Sequence, residues 1–143
     1  MQIKDTDSKI LNALRHGDDV TKVAQDFKIP KSTVYYHLNK LKKAGFIKGV
    51  RVAINYEQTK NHGSAMMLVS LTKTNAKDVK TFEDEMQKST LISDIYAVTG
   101  DWDFVLILRG EKEELTNFIM DSVQSMPNVN RTHSLFIMRH TEL

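Results

Sequence analysis

Residues 29–47 read IPKSTVYYHLNKLKKAGFI, and the pattern of this stretch decides the architecture of the first third of the chain. Pro30 has a fixed φ suited to the start of a helix, Ser32 or Thr33 can offer a capping oxygen, and Gly45 supplies the left-handed residue that ends one. At about 100° per residue, Val34, Leu38 and Leu41 share one stripe, whereas Ser32, Tyr36, Asn39, Lys40 and Lys43 share the opposite side. One side packs and the other is free to touch a partner. Residues 27–56 contain no Asp or Glu, yet carry Lys28, Lys31, Lys40, Lys42, Lys43, Lys48 and Arg51. Such a surface attracts phosphate. Standing alone, a basic amphipathic helix is more often the solvated side of a core helix, so its neighbours decide the matter.

Residues 5–15, DTDSKILNALR, set Ile10, Leu11 and Leu14 at helical spacing behind Asp and Thr residues able to cap. Residues 20–27 repeat the pattern with Val20, Val23, Ala24 and Phe27, capped by Asp19 or Thr21. A turn of Lys28, Ile29 and Pro30 leads into the basic helix. Two short helices ahead of a basic third one form a helix-turn-helix. Residues 46–54 turn β-branched with partial alternation, the pattern of an extended segment or strand leaving the head, and 55–64 (NYEQTKNHGS) is a polar linker.

Beyond it the periodicity predicts a strand at 65–72, a helix at 76–88 capped by Asn75 with Val79, Phe82 and Met86 inward, and a strand at 92–99. Gly100-Asp101 then turns a hairpin into a strand at 102–109. A helix at 113–126 with Leu115, Phe118, Ile119 and Val123 inward stops at Pro127, and a last strand occupies 129–139. The order β-α-β-β-α-β is the ferredoxin-like split unit. Its strands (MMLV, FVLIL, LFIM) are apolar on nearly every residue, more than burial of one face requires, so a second subunit is expected on the open face. The expected fold class is therefore α+β: a helix-turn-helix, winged-helix-like DNA-binding domain at 1–50, an extended hinge at 51–64, and a ferredoxin-like βαββαβ domain at 65–143.

Composition agrees. The chain has 143 residues, 41% hydrophobic and 27% charged, which suits one full domain or two small ones. The absence of Cys excludes disulfides, thiolate nucleophiles and Cys-ligated metals. With no signal peptide or membrane-spanning apolar run, a cytoplasmic location is expected. Residues 1–60 hold twelve Lys/Arg against six Asp/Glu, net +6, while residues 61–143 hold eight against twelve, net −4. Double-stranded DNA is the partner expected for the first half.

Taken together, these features resemble the Lrp/AsnC family of feast/famine transcriptional regulators, over nearly the whole chain. The resemblance is most specific at DSKIL from Asp7, at 29–33 with LNKLKKAGFIKG (38–49), at VTGDWD (98–103) and at VNRTH (129–133). It implies a homodimer built by facing sheets, assembled further into tetramers or octamers, with a small effector, typically an amino acid, bound between C-terminal domains near the hairpin. Two positions depart from the family pattern: Lys28 stands where many members have Gly, and Ser134 where many have Thr.

Carried onto this sequence, the family's recognition helix makes Lys31, Ser32, Thr33, Tyr35, Tyr36, Asn39, Lys40 and Lys43 the DNA-binding candidates. For Ser32 and Thr33 capping competes with that role, and Tyr35 sits at a flank where packing competes. An outward Tyr36 has no packing reason to be there. His37 borders the core stripe and is expected to be a satisfied helix histidine. Gly100, Asp101, Trp102, Asp103, Thr132 and Ser134 are the effector-binding candidates: turn N–H groups can hold a carboxylate and a side-chain carboxylate an ammonium. The bland alternative is a good hairpin turn with small polar residues on a strand. No catalytic constellation, metal-ligand spacing or cofactor loop is present in the sequence, so a non-enzyme is expected. The alternatives are a siroheme-decarboxylase-like enzyme of the same architecture and an architectural DNA-binding protein without effector.

Overall fold

Three helices, α1 (Asp5–Arg15), α2 (Val20–Asp26) and α3 (Lys31–Lys43), build the first of two units in the computed structural model, which describes residues 3–141 and divides between Ala53 and Ile54. Their apolar stripes meet in a core of Ile10, Val23, Ala24 and Val34, flanked by Ala13, Leu14, Val20, Ile29 and Leu38. All three helices stop in the same way. The N–H groups of Gly17 and Asp18 bond back to the carbonyls of Leu14 and Ala13, those of Lys28 and Ile29 to Gln25 and Ala24, and those of Gly45 and Phe46 to Lys42 and Leu41. This paired closure needs a left-handed residue at its first position. Gly17 (φ 95°) and Gly45 (φ 81°) meet the need without strain, but Lys28 (φ 54°) meets it with a Cβ. Lys28→Gly should therefore raise the head's stability by about 0.5–1 kcal/mol, whereas Lys28→Ala, which keeps the Cβ, should not. Chemical denaturation of both variants distinguishes them, and equal stabilities would remove the strain argument.

Helix starts follow the sequence less closely. Asp19 caps α2 by accepting from the Lys22 N–H (2.7 Å), as expected. Neither Ser32 nor Thr33 caps α3, whose cap residue is Pro30, and the cap residue of α1, Lys4, likewise makes no side-chain cap bond. Residues 46–54 carry no strand, so the extended segment expected there has no ladder and the first unit no β-wing among its described residues.

The second unit opens with a 3₁₀ turn (Tyr56–Gln58) and runs β1 (His62–Leu71), α4 (Ala76–Met86), β2 (Ile92–Ala97), β3 (Phe104–Glu111), α5 (Lys112–Asn117, continuing as a π-helical stretch over Phe118–Val123) and β4 (Val129–Phe136). The expected βαββαβ order is present. β1 begins three residues inside the stretch expected to be linker, and the second helix is α-helical for only its first six residues. Asn75 caps α4 as expected, accepting from the Asp78 N–H at 3.0 Å. The sheet is antiparallel in the order β2-β3-β1-β4. Both helices cover one face. Phe82, Met86, Leu115, Ile119 and Val123 pack on Ala65, Met67, Val69, Leu71, Phe104, Leu106 and Leu108. The alternate residues, Met66, Leu68, Val105, Ile107, Tyr96 and Leu135, form the other face, where Tyr96 is 54% and Leu135 47% exposed.

Candidate nucleic-acid interface and effector pocket

The rotation of α3 about its own axis determines which side chains a partner can reach. Val34 and Leu41 are fully buried and Leu38 packs beside them, which turns Lys31, Ser32, Tyr35, Tyr36, Asn39, Lys42 and Lys43 outward, with Thr33 half-buried. Tyr35 does not pack at the flank: it is 54% exposed beside Tyr36 at 65%. Since Ser32 and Thr33 are not spent on capping, their hydroxyls remain available as donors. Seven of the eight candidates thus lie on or beside one surface that carries no acid.

Lys40 is the exception. By angle it belongs to the outward set, but its four-carbon stem folds back and its Nζ donates to Asp7 Oδ2 at 3.1 Å. Asp7 is fully buried. Its other oxygen, Oδ1, accepts from His37 Nδ1 at 2.5 Å, so His37 is the satisfied helix histidine expected. The His37 ring in turn meets Tyr36 edge-on at 5.6 Å. Burial alone would push the Asp7 carboxyl up. The hydrogen bonds from His37 and Lys40, together with the Lys40 charge, outweigh burial and hold it below its ordinary value of 3.8. The sequence carried a signal for this site that went unread: Asp7 stands one turn before Ile10 and Leu11, on the apolar stripe of α1.

In the second unit the six effector candidates fall into two groups that the fold keeps apart. Thr132 and Ser134 pair with Val69 and Met67 and so point to the helix-covered side of edge strand β4. There, with Thr116, Ile119, Met120, Gln124 and Phe136, they line a cleft of about 270 Å³. Gln124 Nε2 donates to Thr132 Oγ1 (3.2 Å), while the Ser134 hydroxyl is buried with no partner. Gln124 and Met120, which the sequence does not single out, join this cleft because each follows an inward residue, Val123 and Ile119, at its edge.

The hairpin residues reach the opposite face of β4. Arg131 Nη2 donates to the Asp101 carbonyl (3.2 Å), and its guanidinium lies 4.8 Å from the Trp102 ring centroid, with the His133 ring 6.5 Å from Trp102. Gly100 turns at φ 108°. Asp103 spends one carboxylate oxygen, Oδ2, on the Leu71 N–H at 2.6 Å, which ties the end of the hairpin to β1. Within a single chain, Thr132 and Ser134 do not meet the hairpin: side chains alternate across a strand, and the hairpin residues and the two hydroxyls use different faces.

Comparison with known proteins places these features. Residues 64–142 match the Lrp/AsnC ligand binding domain, and residues 4–48 match the bacterial regulatory protein, arsR family. The HTH-type transcriptional regulator LysM of Sulfurisphaera tokodaii is 30% identical over 140 residues, covering 96% of each chain. Among solved structures, AsnC of E. coli superposes with a TM-score of 0.77 at 19% identity, covering 100% of this chain and 97% of that one. The transcriptional regulator NMB0573 of Neisseria meningitidis, solved as its L-Met complex, superposes with a TM-score of 0.79 at 21% identity over 99% and 94%.

Proposed function

The chain belongs to the Lrp/AsnC family and is a transcriptional regulator with a helix-turn-helix DNA-binding domain and an Lrp/AsnC ligand-binding domain, and we propose how its residues divide that work. Lys31, Ser32, Thr33, Tyr35, Tyr36, Asn39 and Lys43 enter the DNA, with Tyr36 and Asn39 toward base edges and the lysines toward phosphate. The observation that carries this reading is the outward side of α3, which exposes two tyrosines among cations with no acid present. Such a surface also favours a regulator over a decarboxylase of the same architecture. The protein acts in the cytoplasm, and no described helix is long and apolar enough to cross a membrane.

Assembly follows from the uncovered sheet face. Met66, Leu68, Val105, Ile107, Tyr96 and Leu135 meet the same face of a second copy, giving a homodimer that associates further into tetramers or octamers. The effector is an amino acid. Its site draws on the β4 cleft of one chain and the Gly100, Asp101 and Trp102 hairpin of another, a reading supported by the opposite faces these groups use in one chain. Binding between chains then biases one assembly over another, and with it the spacing of heads offered to DNA.

A thermal-shift screen of the twenty amino acids tests this. A ligand at a hundredfold excess over its Kd stabilises by about 2.7 kcal/mol, and Asp101→Ala and Ser134→Val should each abolish the response. Co-expression of the two variants regenerates intact sites only if each site takes residues from two chains, so a partly restored response is expected. A mixture as silent as its parts would place the site within one chain.

A further inference from the structure

Asp7 does more than join α1 to α3. It is fully buried, and each of its oxygens is held by a different side chain of the DNA-reading helix, His37 and Lys40, three residues apart on one side of α3. Lys40 lies on the helical wheel between the outward Tyr36 and the half-buried His37, and its stem is long enough to send the ammonium outward to phosphate or inward to a carboxylate. In the structure it goes inward, leaving 26% of its side chain exposed. A buried carboxylate outcompetes a solvated phosphate for that ammonium, because charge pairs gain more in the low dielectric of the interior than at a wet surface. We propose that Asp7 is an internal counter-ion that withholds Lys40 from the DNA backbone. As a positioning residue it leaves the phosphate contacts to Lys31, Lys42 and Lys43, and it fixes the His37 ring against which Tyr36 rests. This rests on the α3 interface described above.

The salt dependence of DNA binding isolates the idea, since each phosphate neutralised adds about 0.9 to the slope of log K against log salt. The probe is a mixed-sequence duplex, and the full-length chain is titrated by fluorescence anisotropy. Lys40→Gln should leave the parent slope unchanged. Asp7→Asn, of the same shape but uncharged, should free Lys40 and steepen the slope by about 0.9 per bound head, about 3.5-fold in affinity over a fourfold change of salt. The Asp7→Asn/Lys40→Gln double variant should return to the parent slope. A Lys40→Gln slope shallower by about 0.9 per head would overturn the proposal, because Lys40 would already be on phosphate. So would an unchanged slope in Asp7→Asn, or a double variant as steep as Asp7→Asn, which would assign the effect to the lost charge alone. If Asp7→Asn does not fold by circular dichroism, Lys40→Gln decides by itself. A parent chain without salt-dependent binding would refute the α3 interface instead.

Discussion

Between about 50 and 200 mM salt, the affinity of the full chain for duplex DNA is expected to fall by roughly a thousandfold. The head carries the exposed cations Lys31, Lys42, Lys43 and Lys48 on or just after α3, with no acid from residue 27 to residue 56. If about three of them reach phosphate in each head and two heads engage, about six counterions leave the DNA, and that number gives a loss of this size. The net charge of the whole chain, +2, hides the effect, since the +6 of residues 1–60 is offset by the −4 of the remainder. Anisotropy against a mixed-sequence duplex measures it. A flat salt profile would leave the basic surface as no more than a solvated helix side.

Phe104→Ala should cost the second unit about 3–5 kcal/mol, near the top of the range for core substitutions. Phe104 is 1% exposed on the strand next to β1, and its ring lies 4.8 Å from that of Phe82, itself 2% exposed on α4. Removing it deletes an aromatic contact and leaves a cavity between the sheet and the helix that covers it, where neither can collapse inward without breaking the ladder. Urea denaturation measures the loss; a change under about 1 kcal/mol would mean that the core closes over the gap.

What the sequence disclosed depended on whether the signal was local. The end of α3 was legible because Gly45 is required by its own turn. Lys28 stood out only through the family resemblance, as a position where many members have Gly, and its φ of 54° supplies the physical reason. The βαββαβ succession was legible from apolar runs, helical periodicity between them and the turn at Gly100-Asp101. The pairing of Asp7 with Lys40 was not, since 33 positions separate them and the helical wheel fixes the direction of a Cβ but not of a long flexible stem. Ser32 and Thr33 were credited with a cap that the backbone around Pro30 does not use. The effector candidates were chosen residue by residue, and only the register of β4 against β1 reveals that Thr132 and Ser134 turn away from the hairpin. The π-helical turn escaped for a related reason: Leu115, Ile119 and Val123 recur every four residues, a spacing that an α-helix also satisfies.

The central claim is that the outward side of α3 reads DNA, and Tyr36→Ala tests it most directly. On a fragment selected by the parent protein from genomic DNA, the variant should bind about tenfold more weakly or worse, the loss of one good base contact. At 65% exposure Tyr36 contributes little to the core, so the melting temperature should stay within a degree or two of the parent's, as for an ordinary surface substitution. Undiminished affinity for the selected fragment in a folded Tyr36→Ala protein would contradict the account.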